Sequence, residues 1–430
     1  MPVENWSPPT RTEVERQLKR MLENELFLDS PYQGRMFQYA VVARLNGEEL
    51  NEKKIAEYLF GRIEPDATNV RTTGVNLRKT LQKYYAQTGR NDLVRISLRP
   101  GKGYVSLFEY NPGSQAIQHF RRGLHHINEG APENLRLAIA EFDMAVALDP
   151  LHANALAAKA IALSSLSLHD YKVIPKEVFF EGQKAAEAAL ALDPNLWRAH
   201  AALGAIHTFR HDWEKGKNSF QRALELAPEE TLDDASYQAC LVARGHFAEA
   251  LAIVESLARE RPDSTRAQRT YGLYLYILRR FDDAARVLKE ALRLDRNAWL
   301  AHVNLSLVLL AQVRYSEALE HARRIEPLLD SGVWPGLLIL SLARAGHVQE
   351  AVARIAALEA QQHSHYVQPL HLALGYLGLG RTDEAIAAIR KACDDFDPFV
   401  LWLHSWPVFD PLRNHPEFCR LLEETGLAIP

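Results

Sequence analysis

GHFAEA, residues 245–250, sets an aromatic ring (Phe247) two positions after its first residue and a small side chain (Ala250) five positions after it. The same frame recurs as HDWEKG at His211, RRFDDA at Arg279, VRYSEA at Val313, GHVQEA at Gly346 and GRTDEA at Gly380. The steps between copies are 34, 34, 34, 33 and 34 residues. Pro194, Pro228 and Pro262 keep the same beat, 34 apart, whereas Pro150 precedes Pro194 by 44. That excess implies an insertion of about ten residues, LHDYKVIPKE, in one of the early copies.

A period of about 34 residues accommodates two helices of roughly four turns and two short turns. Small residues stand where the paired helices must approach closely. Gly204 and Gly272 fall in first helices; Ala250, Ala284, Ala318, Ala351 and Ala385 fall in second helices. Ala223, Ala291 and Ala392 follow seven residues after the small position. The prolines end second helices, because proline has no N–H to continue them. The pattern resembles the tetratricopeptide repeat (TPR), most closely over WRAHAALGAIHTFRHDWEKGKNSFQRALELAP at 197–228. The resemblance implies an α-solenoid of about eight repeats over 115–398, the first two irregular. The repeats starting near Trp299 and Gly332 lack the usual small residue in the first helix.

In such a solenoid the first helices line a concave groove. The groove-facing positions are then polar near the middle, at Arg266, Arg269 and Tyr276. Later they are apolar: Leu300, Val303, Leu307 and Leu310, then Val367, Leu370, Leu374 and Leu377. An open apolar groove would be an exposed hydrophobic patch. Two fates are open to it: the solenoid closes on itself or is filled by its own tail, or a partner helix or second copy of the chain lies there. The tail, WPVFDPLRNHPEFCRLLEETGL at 406–427, breaks the beat. Residues 399–430 are expected to cap the open end, with a helix over 417–425.

The N-terminal part has a different pattern. Residues 1–10 are expected to be disordered. Helices are expected over 11–28, 32–45 and 51–61, the third opened by Asn51 and stopped by Gly61. A fourth, from about 68 to 87, puts Val70, Gly74, Leu77, Leu81 and Tyr84 on one face. Thr72, Asn76, Lys79 and Lys83 make the opposite stripe, so one face can pack while the other offers amide, hydroxyl and ammonium groups. Two strands, 93–98 and 103–108, follow, joined by a tight turn at RPGK. Between residues 71 and 108 stand eight basic residues (Arg71, Arg78, Lys79, Lys83, Arg90, Arg95, Arg99, Lys102) and one acid, Asp92. Residues 1–110 hold 17 Lys+Arg against 14 Asp+Glu, a balance of +3, while the whole chain of 430 residues carries −4. A basic patch on a mildly acidic protein suggests one polyanion-binding surface.

Residues 11–110 resemble the OmpR-type winged helix of bacterial regulators, in the variant that precedes TPR arrays, often in proteins labelled as adenylate cyclases. IAEYLFGR (55–62), VRTTGVNLRKTLQKYYAQTG (70–89) and VRISLRPGKGYVSLF (94–108) carry the resemblance. It implies a mainly α fold with one β-wing, and a transcriptional regulator that binds double-stranded DNA. Thr72, Thr73, Asn76, Lys79 and Lys83 would enter the groove, and Arg71, Arg99 and Lys102 would meet phosphate. Asn76 stands where the family commonly has arginine, so the resemblance implies a different sequence preference. Tyr84 and Tyr85 are read as core residues.

Nothing in the sequence organises a nucleophile, a base and an oxyanion site. PGKG at 100–103 lacks the first glycine and following helix of a phosphate-binding loop. His125 and His126 have no further ligands at metal spacing. No cofactor, metal or catalysis is therefore expected. Cys240, Cys393 and Cys419 follow no redox spacing, and no apolar run suits a signal peptide or a membrane span. A cytoplasmic location is expected, with protein or peptide as the second partner, or a homo-oligomer. The alternative is a non-catalytic interaction scaffold whose winged helix binds protein instead of DNA.

Overall fold

The computed structural model describes residues 8–61, 67–99, 104–129, 131–232, 234–326 and 334–427. Its described part is mainly α with two short strands. It divides into two compact units. One comprises residues 1–129, 137–159 and 187–196; the other comprises 130–136, 160–186 and 197–430.

In the first unit, α1 (Arg11–Leu22), α2 (Glu25–Leu28), α3 (Pro31–Leu45), α4 (Glu52–Phe60) and α5 (Ala67–Ala86) precede β1 (Val94–Leu98) and β2 (Ser106–Tyr110). The single helix expected over 11–28 is thus two, because the Asn24 side chain accepts from Leu26 N–H and starts a new turn. Asn51 caps α4 by accepting from Lys54 N–H, and Gly61 ends it in the left-handed conformation at φ 64°. The apolar face of α5 packs as its spacing requires: Val70, Leu77, Leu81 and Tyr84 are buried. At Gly74 a Cβ would lie 2.6 Å from the Tyr104 ring, so glycine lets that ring lie on the helix. The strands pair antiparallel from Val94 opposite Tyr110 to Leu98 opposite Ser106. The second strand therefore sits about two residues later than its sequence suggests.

The unit continues past β2. α6 (Gln115–Glu129), most of α7 (Pro132–Leu148) and the start of α8 (Ala153–His169) belong to it. A buried polar network joins them to α1. Glu13 closes a capping box on Thr10, accepts from the Tyr110 hydroxyl at 3.1 Å and lies 3.3 Å from His152 Nδ1. Asn154 Nδ2 donates to the Tyr110 hydroxyl at 2.6 Å. Burial acts to raise the Glu13 pKa, but the hydrogen bonds and charge of His152 outweigh it and hold the carboxyl below its ordinary range.

The second unit holds part of α9 (Pro175–Leu192), then the repeats. α10 (Trp197–Phe209) pairs with α11 (Trp213–Leu226); α12 (Pro228–Leu232) is a short turn of helix; α13 (Ala235–Ala243) pairs with α14 (Phe247–Glu260). Next come α15 (Thr265–Ile277) with α16 (Phe281–Leu294), α17 (Trp299–Ala311) with α18 (Tyr315–Ile325), and α19 (Pro335–Arg344) with α20 (Val348–Gln361). α21 (Pro369–Gly378) and α22 (Thr382–Asp394) complete the array; 3-10 turns at Pro398–Trp402 and Pro407–Leu412 and α23 (Pro416–Thr425) follow.

The sequence frame marks one conformation. His211, Gly245, Arg279, Val313, Gly346 and Gly380, the first residues of its six copies, all have positive φ between 59° and 88°. After each, an N–H returns to a carbonyl five residues back, as in His246 to Leu241 (2.8 Å) and Arg314 to Leu309 (2.9 Å). These are left-handed helix stops that reverse the chain between paired helices. Ala250, Ala284, Ala318, Ala351 and Ala385 are fully buried at the crossings. At Gly204 a Cβ would lie 2.8 Å from the Phe220 ring, and at Gly272 it would lie 2.6 Å from Leu288. The repeat at Trp299 keeps a small residue after all. Ser306 follows Gly272 by 34 and donates its hydroxyl to Ala318 O at 2.9 Å.

Val313 is a β-branched residue in the left-handed region, at φ 62° and 66% exposed. Left-handed backbone costs such a residue about 1–2 kcal/mol, against roughly 0.5–1 kcal/mol of extra chain entropy for glycine. Val313→Gly is expected to stabilise the second unit by about 0.5–1 kcal/mol. An unchanged or lower urea midpoint would contradict the assigned strain.

Candidate functional site

Two surfaces carry the candidate residues. The first lies on α5. Thr72, Asn76, Lys79 and Lys83 are exposed, as their stripe predicts. Asn76, Lys79 and Lys83 form no hydrogen bond or ion pair among the described residues. The two threonine hydroxyls turn back onto the helix, Thr72 to Thr68 O and Thr73 to Asn69 O, both at 2.8 Å. Arg71 is engaged otherwise than expected. Its guanidinium grips the Glu52 carboxylate of α4, Nε to Oε1 at 2.8 Å and Nη2 to Oε2 at 3.1 Å. Arg99 is exposed beside the hairpin, where its N–H donates to Val105 O at 2.9 Å. Lys102 lies outside the described residues.

Asp92 gives this surface its sign, and sequence reasoning counted it only as an opposing charge. It is buried, accepting from Gln17 Nε2 (2.5 Å), Arg20 Nη1 (2.8 Å) and the Tyr84 hydroxyl (2.7 Å). The lone acid of the basic stretch is turned inward. Burial first, and then the Asp92 carboxylate, raises the Tyr84 pKa far above that of a free phenol. Tyr85 is also internal: its hydroxyl accepts from Ile96 N–H at 2.8 Å and donates to Val94 O at 3.2 Å. Both tyrosines pack; neither is presented for base stacking.

The second surface is the concave side of the repeats, where the structure takes the first of the two fates left open by the sequence. Tyr276, Val303, Leu307, Val367, Leu370, Leu374 and Leu377 are buried; Leu300 and Leu310 are half-buried. The chain's own tail covers much of this side. The turn at 398–402 packs on α10, α13 and α22, and the turn at 407–412 on α17. His404 Nε2 donates to Val242 O (3.0 Å), and the Val408 main chain hydrogen-bonds the Tyr276 hydroxyl. Arg279 holds Asp410 through two bonds of 2.5 and 2.9 Å. Trp213 Nε1 donates to Thr425 O at 2.9 Å. The tail was expected to cap an end; it fills an interior because its aromatic residues complete a core of Trp334, His371, Phe399, Trp402 and Trp406.

The unit also closes on itself, through the inserted residues. Gln368, at the start of α21, donates its N–H to Tyr171 O (2.8 Å) and its side-chain amide to Ser167 O (2.6 Å). Tyr171 meets His371 edge-on at 5.6 Å, and His169 meets Trp299 at 5.4 Å.

One stretch of the concave side stays open. Along α15, Arg266 is exposed, Arg269 and Leu273 are half-buried and Tyr276 is buried; along α17, Leu300 is half-buried and Val303 buried. The filling thus begins beyond the first turn of these helices. Burial, and then the charge of Arg266, lowers the Arg269 pKa to about 10. Burial, and then Arg269, lowers that of His169 to about 4, so its imidazole is neutral near pH 7.

Among the described residues no group of three or more His, Cys, Asp or Glu side chains could hold a metal ion. Among them, too, no helix is long and apolar enough to cross a membrane.

A family model of the tetratricopeptide repeat matches residues 241–285 and 272–332. This chain therefore carries TPR repeats. It is similar to the human IFIT1 dimer with m7Gppp-AAAA at TM-score 0.51 and 15% identity, over 90% of this chain and 95% of that one. A monomeric IFIT1 mutant with m7Gppp-AAAA is similar at TM-score 0.52 and 14% identity, over 96% of this chain and 86% of that one. A tetratricopeptide repeat protein from Parabacteroides merdae is similar at TM-score 0.35 and 12% identity, over 72% of this chain and 98% of that one. Likeness at these identities is likeness of fold. No curated protein matches the sequence.

Proposed function

We propose that this chain works by binding, without catalysis, and that its TPR unit takes a protein or peptide partner. The observation that carries the reading is the TPR array itself, with one unfilled stretch on its concave side. Such arrays bury each repeat's apolar face on its neighbours and keep the remaining faces for partners. Selection of a displayed random-peptide library on the full chain tests it. Recovery of a shared peptide motif is the expected result. Repeated failure to enrich any peptide on folded protein would remove the reading.

A second reading is favoured by the exposed stripe of α5. In it, the first unit is a winged helix of OmpR type, and the chain is a cytoplasmic transcriptional regulator. Helix α5 lies in the major groove, where the Asn76 amide matches the edge of an adenine and Lys79 and Lys83 approach base edges or phosphate. The inward turn of Asp92 supports it, because no acid on this stretch opposes the DNA backbone. Arg71 has a smaller part than the resemblance implies, since Glu52 already neutralises it.

Selection of bound genomic fragments, with and without Asn76→Ala/Lys79→Ala/Lys83→Ala, tests this second reading. A recurring motif is expected with the parent chain and none with the triple variant. Asn76→Ala alone should cost about 1–3 kcal/mol at the right site. Each lysine that contacts phosphate should lower the salt slope by roughly one unit. Salt-independent behaviour of all variants would leave α5 as a protein-binding face.

A further inference from the structure

Helix α7 is apolar on two opposite faces. On the inner face Ala138, Phe142 and Ala145 are buried, and Phe142 meets Phe120 of α6 with ring centres 6.0 Å apart. On the outer face Leu137, Ala140, Met144, Ala147 and Leu148 are exposed, as is Leu151 in the turn that follows. The four large side chains among them are each 44–50% exposed. A surface helix ordinarily turns polar residues outward. Here positions 137, 140, 144, 148 and 151 keep helical spacing and form one apolar stripe about 21 Å long. The stripe lies wholly within the first unit.

The two acids that border the stripe are drawn off it. Glu141 lies 2.7 Å from His119 Nδ1 and accepts from Arg122 Nε at 3.1 Å, both on α6. Lys159 of α8 holds Asp143 at 2.7 Å. Both carboxylates are thus neutralised by the chain itself, and neither charges the seam. Leu151 is fixed in its turn. Its N–H donates to Asp149 Oδ1 at 3.0 Å, and its carbonyl accepts from the Arg16 guanidinium at 3.3 Å. Leu148, Pro150 and Leu151 line a hollow of about 460 Å³ together with Arg20, Leu93 and Ala116.

The order of the residues says what covers such a face. The steps along it are 3, 4, 4 and 3, and they read the same in both directions. A stripe of this kind is its own complement when a second copy lies across it in the opposite sense. Met144 then meets its own copy, and its flexible thioether adapts to the crossing. Leu137 meets the partner's Leu151 and points at the hollow beside it. Ala140 meets the partner's Leu148, small against large, as interlocking helices require. The large side chains of the stripe offer several hundred Å² of apolar surface, in the range of about 300–600 Å² at which patches mark contact sites. With Arg122, Asp143 and the hollow as its rim, the face is on the order of the ~800 Å² per partner that a stable dimer buries.

We infer that this chain self-associates through α7, two copies pairing antiparallel about a two-fold axis at Met144. Such a contact uses the same patch on both copies and closes at two. It involves neither α5 nor the concave side of the repeats, and so stands apart from both readings of function.

Sedimentation equilibrium of the full chain over a range of concentrations tests it. The expected result is a monomer–dimer equilibrium reaching twice the chain mass of 48.6 kDa. Met144→Glu and Leu148→Glu should each weaken the dimer at least about tenfold, because they put carboxylates into the apolar seam. Both should melt no lower than the parent chain, since the sites are exposed. Leu28→Glu, at an exposed leucine of α2, should leave association unchanged. Cysteine crosslinking with a short bismaleimide, read above the background of the parent chain, checks the pairing without disrupting it. Met144→Cys should join its own copy. Leu137→Cys should join Leu151→Cys in a mixture but not its own copy, which lies about 21 Å away. A monomer at every concentration overturns the inference, as does a dimer that neither glutamate variant weakens. Leu137→Cys joining its own copy overturns the antiparallel pairing. Should a glutamate variant melt lower, the crosslinks decide, and their absence overturns the inference.

Discussion

Replacing Trp406 with alanine is expected to cost the repeat unit about 3–5 kcal/mol. Trp406 is buried at the centre of the inner aromatic cluster. It stacks on Trp402 at 5.9 Å and Phe409 at 6.5 Å, and meets Phe399 at 6.1 Å and Trp334 at 6.2 Å. The loss combines removed apolar surface with a cavity that rigid helices cannot close. Trp406→Phe is the informative companion. The Trp406 Nε1–H is buried with no acceptor, so its removal refunds a desolvation penalty of about 1–3 kcal/mol. Most of the stability should therefore survive the phenylalanine. Urea unfolding followed by far-ultraviolet circular dichroism separates the cases. Equal midpoints for the parent and the alanine variant would mean that the tail is a loose cover over the groove and not part of its core.

The second large effect is expected at Gly336. A Cβ there would lie 2.2 Å from the His371 carbonyl oxygen and 2.7 Å from the His371 Cα. Both are backbone atoms, so no rotamer change relieves the clash. α19 and α21 would have to separate, and with them the cluster in which His371 meets Trp334 and Phe399. Gly336→Ala is expected to destabilise the unit by more than about 3 kcal/mol. Gly346→Ala is the control: its Cβ would meet nothing within 4 Å, and only the positive φ of 88° opposes it. That should cost about 1–2 kcal/mol. A ranking in which Gly346→Ala is the worse of the two would refute the assigned packing of α19 on α21.

The two glycines show how far a repeat pattern reaches. Gly346 stands on the beat, and its place in a turn between helices follows from position in the frame alone. Gly336 stands off the beat, and nothing in the period tells that it touches α21 instead of its own partner helix. The same holds on α5. The stripe of Thr72, Asn76, Lys79 and Lys83 was legible because helical periodicity assigns faces. The pairing of Arg71 with Glu52, and the inward turn of Asp92, came from residues on other elements.

By itself the sequence determined the repeating architecture: the helix pairs, the short turns between them and the alanines at their crossings. All of these depend on contacts between neighbours within a period or between adjacent periods, so each copy restates the same local rule. Only the tertiary structure decided what became of the concave side. The contacts that fill and close it join residues 131 apart at Arg279 and Asp410, 162 apart at Val242 and His404, and 201 apart at Ser167 and Gln368. They involve a tail and an insertion that obey no period. An apolar stripe states that something must cover it; which segment does so is set by the curvature accumulated over the whole array, and curvature leaves no mark in the residues of any single repeat.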